Sequence, residues 1–140
     1  MSHKISLDDE RFRIAFEAFE ISPEAFNHRA HLRLAYIYLC DKSPSDAERA
    51  MKRSLLAFLN HVGAGEAKFH ETMTSAWIDA VNHFMHASRP ASAFDEFIDA
   101  SPELLDSKIM LTHYSADLLF SDAARRRVVD PDISAIPKHG

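Results

Sequence analysis

Nine histidines are spread over 140 residues, where average usage would supply about three. Imidazole is the commonest protein metal ligand and titrates nearest neutral pH, so the question is which rings face inward. On a helix each residue advances by about 100°. In the segment His28-Arg29-Ala30-His31-Leu32, His28 shares a stripe with Ala35 and Leu39, and His31 lies one turn on, beside Tyr38. Further along, His70 shares a stripe with Thr74, Trp77, Val81 and Phe84. Three inward rings on two helices form the pattern of a divalent-metal site, zinc, iron or nickel alike, with a position open to water or substrate. Glu66 and Glu24, one turn before His70 and His28, are further candidate ligands. Glu71 points about 100° away from His70 and suits an acid or base beside the metal. Thr74 and Tyr114 are candidate substrate contacts.

The remaining histidines divide by position. His83 and His86 fall with Asp79 on the face opposite His70 and are expected in solvent. His3 and His139 sit at the ends of the chain and carry no expected role. His61 closes a helix, where a polar or positive group suits the terminal carbonyls. The role of His113 is left open.

The elements that must position these residues are helical. Only three glycines occur, too few for a chain rich in β-turns. Ser22-Pro23, Ser43-Pro44 and Ser101-Pro102 are helix starts, with Ser as N-cap and Pro in the first turn. Apolar spacing predicts helices from about residue 7, over 23–39 with a bend near Asn27, over 43–61, and over 66–86. Gly63 and Gly65 punctuate the last two. Shorter helices are expected over 91–99 and 102–112, followed by two short capped turns and an extended stretch before Pro131. The expectation is an all-α, single-domain bundle of four main helices over residues 1–140, with 1–6 and 133–140 loosely ordered.

Composition narrows the function further. A lone Cys40 excludes an intramolecular disulfide and a Cys-rich zinc site, and fits a reducing compartment. No apolar signal-peptide core or membrane-length run is present, so a cytoplasmic chain without a membrane partner is expected. A net charge of −5 argues against nucleic acid as a partner. Arg125-Arg126-Arg127 is expected to be a solvated helix end. There is no phosphate loop, nucleophile elbow or His-Glu-x-x-His motif.

The segments Phe26-Asn27-His28-Arg29-Ala30-His31-Leu32, Lys68-Phe69-His70-Glu71-Thr72, Leu118-Leu119-Phe120-Ser121-Asp122-Ala123-Ala124-Arg125 and Val129-Asp130-Pro131-Asp132 together resemble a widespread family of small bacterial proteins. The resemblance runs from about Phe26 onward and brings no activity with it. More distantly, the layout is similar to metal-binding four-helix proteins of the DinB type, whose histidines are spaced differently. The residues support two functions. One is a metal-binding bundle, enzyme or not, acting on a small polar molecule through His28, His31 and His70. The other is a ligand-binding or interaction module with a hydrogen-bonded histidine pocket.

Overall fold

The computed structural model describes residues 2–139; Met1 and Gly140, the ends of the expected domain, lie outside them. The described residues are helical, with no strand among them. Helix α1 (Leu7–Glu17) begins with a capping box. Ser6 Oγ accepts from Asp9 N, and the Asp9 carboxylate accepts from Ser6 N, both at 3.0 Å. Each bond satisfies an N–H that the helix itself cannot. Helix α2 (His28–Asp41) is capped by Asn27, α3 (Pro44–His61) by Ser43 with Pro44 in its first turn, and α4 (Glu71–Ala87) by His70. The chain continues through α5 (Phe94–Ala100), α6 (Ala116–Leu119) and α7 (Asp122–Arg126), the last two capped by Ser115 and Ser121.

Helix α2 lies at the centre. It packs on α1, α3, α4 and α5, while α3 also packs on α4 and α7 on α4. Leu32 and Tyr36 share one side of α2 and Leu34 lies on the opposite side, yet all three are at most 1% exposed. The apolar run Leu34–Leu39 is buried all round, as a stretch with no polar face requires, while the earlier turns leave Arg29 exposed and Arg33 half-buried. The aromatic pairs Phe16–Phe26 and Phe16–Phe58, with ring centroids 4.3 and 4.9 Å apart, join α1 and α3 to the segment that enters α2.

Three boundaries differ from the periodicity, each for a local polar reason. Residues 22–26 form a turn rather than the start of α2. Phe26 N donates to Ser22 O at 3.2 Å, and Asn27 takes the cap by accepting from Ala30 N at 3.0 Å. The fourth helix does not begin near residue 66. Gly65 has φ +80°, a 3-10 turn covers Glu66–Lys68, and His70 caps α4 only after that turn. The stretch after Pro102 is not one helix but two 3-10 turns, Pro102–Leu105 and Ser107–Thr112. Asp106 divides them, its carboxylate accepting from Lys108 N at 2.9 Å.

Among the described residues, the two terminal segments expected to be loosely ordered each make contacts with the helical body. His3 donates from Nε2 to Met85 O at 2.6 Å and accepts at Nδ1 from Ala91 N at 3.1 Å. Ile136 is buried. Thr72 Oγ1 donates to Arg127 O at 2.7 Å and accepts from Val129 N at 3.1 Å, which fastens the C-terminal segment to α4. Among the described residues no helix is long and apolar enough to cross a membrane. The triple-arginine run is exposed at the end of α7, as its position beside terminal carbonyls favours.

Candidate functional site

A pocket of about 670 Å³ opens between α2, α3 and α4. Its deep wall is apolar, with Leu32 and Ala35 from α2, Leu55 and Phe58 from α3, and Ile78 from α4. Its mouth carries exposed side chains: Lys68, Ser107, Lys108, Leu111 and Phe120. The 3-10 turns before α4 and after Asp106 supply the first four of these, and the end of α6 supplies the fifth. Between wall and mouth stand His28, His31, His70, Thr74 and Trp77, all half-buried. The two histidine segments therefore meet, as their inward faces imply.

Their nitrogens do not converge. His70 accepts at Nδ1 from Met73 N at 3.0 Å, and its Nε2 faces Leu119 O at 2.8 Å. A carbonyl oxygen only accepts, so Nε2 carries the proton and both nitrogens are occupied. A metal would have to displace either the cap of α4 or the tie to α6. His28 likewise donates from Nε2 to Leu104 O at 2.9 Å, and its ring stands edge-on to Trp77 at 4.7 Å. Only His31 differs. Its ring lies 4.0 Å from that of Phe26. Burial first, and then the neighbouring His28, push its pKa from 6.5 down to about 4, so it is neutral at pH 7. No protein hydrogen bond contributes to that balance. Among the described residues the only sealed-off side-chain polar atom without a partner is Ser88 Oγ, so the nitrogens of His31 remain reachable from the cavity.

No group of three His, Cys, Asp or Glu side chains among the described residues is placed to hold a metal ion. The divalent-metal reading of His28, His31 and His70 draws no support from this donor geometry. Glu66 and Glu24 are exposed and do not line the pocket. Glu71 also lies off the lining and is engaged by Lys52 Nζ from α3, so it is not placed to act as the site's acid or base. Thr74 reaches the pocket wall, but its hydroxyl donates back to His70 O at 2.9 Å. Tyr114 is absent from the lining. Its hydroxyl donates to Val129 O at 3.2 Å, and burial pushes its pKa up. Its hydroxyl thus ties the extended segment to the helical body.

Sequence reasoning missed a second histidine group. His83, expected in solvent, is half-buried; its Nδ1 lies 2.9 Å from His139 Nε2, and His86 stacks on His139 at 4.4 Å. Asn82 Nδ2 donates to His139 O at 2.9 Å. His86 is exposed as expected. The partner of both α4 rings is more than fifty residues away, beyond any helical spacing. His61 stacks on Phe19 at 4.4 Å, and His113 Nδ1 donates to Ser134 O at 2.8 Å, so both have structural contacts.

A second hollow, of about 730 Å³, lies between α1, α2 and α3. Its lining is rich in charge, with Arg13 held by Glu10 and Glu17 and Lys42 by Asp41. It offers no comparable apolar wall. Comparison with known proteins adds no assignment: no family model, curated protein or solved structure matches the chain.

Proposed function

We propose that this protein is a ligand-binding module whose histidine-walled pocket takes a small, largely apolar molecule. The observation that carries this reading is His31, a neutral ring on the pocket wall with no protein hydrogen-bond partner. Its nitrogens open on the cavity rather than being sealed off, so a ligand can pair with them where no protein group does. Neutral imidazole offers one donor and one acceptor, so a hydroxyl, amide or carboxyl group satisfies it. The volume of about 670 Å³ falls within the range of small-molecule sites, roughly 300–1,000 Å³, and such sites combine apolar walls with a few convergent polar groups.

Binding is favoured over catalysis because the nearest candidate acid, Glu71, is turned to Lys52 and away from the lining. The metal-dependent reading would need His70 to surrender a helix cap or a carbonyl contact. Trp77 is the chain's only tryptophan and lines the pocket, so its fluorescence reports occupancy directly. Titration with neutral N-phenyl-1-naphthylamine should quench Trp77 saturably at one site per chain. Thr74→Trp, placed to fill the pocket, should abolish uptake of the dye, followed by the dye's own emission, while the helical circular dichroism is retained. Absence of a saturable change in the wild-type protein, or undiminished uptake by the folded variant, refutes the proposal.

A further inference from the structure

The charge around the pocket departs from that of the chain. Asp and Glu number 21 against 16 Lys and Arg over the whole sequence, yet among the described residues no acidic side chain lines this pocket. Its only formally charged side chains are Lys68 and Lys108, both exposed at the mouth. Lys52 and Lys42 form ion pairs, with Glu71 and Asp41, but neither Lys68 nor Lys108 pairs with a carboxylate among the described residues. Glu66 and Asp106 are near in sequence, but neither reaches the lining. Asp106 directs its carboxylate at the backbone N–H of Lys108 instead. Two unmatched ammonium groups thus stand over an apolar interior, against an overall negative charge.

Resting on the ligand-binding reading above, we infer that the preferred ligand is an amphipathic monoanion, an alkyl or aryl carboxylate. Its apolar body lies between α2, α3 and α4, and its carboxylate meets the Lys68–Lys108 rim. Charge complementarity selects an anion, and the apolar wall selects a hydrophobic body. A phosphate ester fits less well. No arginine among the described residues lines the pocket to grip it bidentately. At the N-terminus of α4, where a phosphate could otherwise bind, the Met73 N–H is already bonded to His70 and is lost as a donor. Exposed lysines on flexible stems place two mobile ammonium groups at the entrance, which a carboxylate can meet without the fixed fork that a phosphate ester favours.

The test compares three ligands of equal chain length by Trp77 fluorescence, each below its micelle threshold: decanoate, 1-decanol and decyltrimethylammonium. Decanoate should bind about tenfold more tightly than decanol, the yield of two partly exposed charge contacts, and the ammonium compound should bind most weakly. In K68Q/K108Q the decanoate preference should fall to within about twofold while decanol affinity is retained. Added salt should erode the preference in the wild-type protein. Equal affinity for decanoate and decanol, or a preference that survives in the double variant, overturns the anion inference and leaves the pocket reading standing. If none of the three ligands changes Trp77 emission, both readings fall. Should the double variant lose its helical spectrum, the single variants and the salt series decide the matter.

Discussion

The strongest quantitative prediction concerns His31→Leu. The ring is buried against Phe26 without a protein partner, and its pKa falls from 6.5 to about 4. Folding therefore expels a proton wherever the unfolded ring would hold one. The folded value is depressed, so stability is full above pH 6.5 and is lost as pH falls towards 4. At about 1.4 kcal/mol per pH unit, that window is worth about 3 kcal/mol. Leucine has no such linkage, and it replaces an unpaired polar ring with an apolar side chain. The variant should equal or slightly exceed the wild-type in stability at pH 7, because the nitrogens of His31 already open on the cavity and carry no full burial penalty. Its advantage should widen by about 3 kcal/mol more at pH 4. Urea unfolding of both proteins at half-unit steps from pH 4 to 7.5 measures this, because other titrating groups cancel in the difference. Parallel stability curves would mean that His31 takes up a proton in the folded state and would refute the burial argument. The same variant should bind pocket ligands less tightly, trading function for stability.

Three further outcomes rest on individual contacts. His70→Ala should lower stability by about 1–2 kcal/mol, because the α4 cap is lost. His70→Asn should recover part of that loss, and EDTA should leave the melting temperature of the wild-type protein unchanged; a clear fall on chelation would restore the metal reading. Thr72→Val should cost about 1–3 kcal/mol by urea unfolding, because Arg127 O and Val129 N both lose their partner. It should also expose residues 127–139 to limited proteolysis. Asp9→Ala should cost about 3 kcal/mol or more at pH 7, since it leaves Arg33 and two backbone N–H groups unpaired. Burial alone would raise the Asp9 pKa, but the N–H donors of Ser6 and Phe94 and the Arg33 guanidinium more than offset it, and the net value is lowered. Its contribution is thus present above the ordinary carboxylate value and lost as pH falls below it. The gap between wild-type and Asp9→Ala should close in acid, as thermal scans down to pH 2.5 would show.

The local alphabet of this fold was legible wherever a cap and a periodic face agreed. Ser43-Pro44, Ser115 and Ser121 start the helices that their side chains imply, since an N-cap acts within three residues of itself. The fourth helix was misplaced because histidine is an unusual cap. Its Nδ1 can accept as a serine oxygen does, and Gly65 had already broken the preceding turn. Glu71 and Tyr114 lie off the pocket lining for a related reason. Angle around a helix says which way a residue points from its own axis, and not that Lys52 or Val129 O waits there.

The histidines mark the division most clearly. Periodicity alone put His28, His31 and His70 on inward faces, and all three do line one pocket. What each ring can do was decided by Leu104 O and Leu119 O, 76 and 49 residues away. An imidazole has two nitrogens, and a single carbonyl fixes which of them carries the proton and whether either is left for a ligand. Helical spacing encodes direction but not the arrival of a distant backbone oxygen, and so only the tertiary structure leaves His31 as the one pocket histidine without a protein partner.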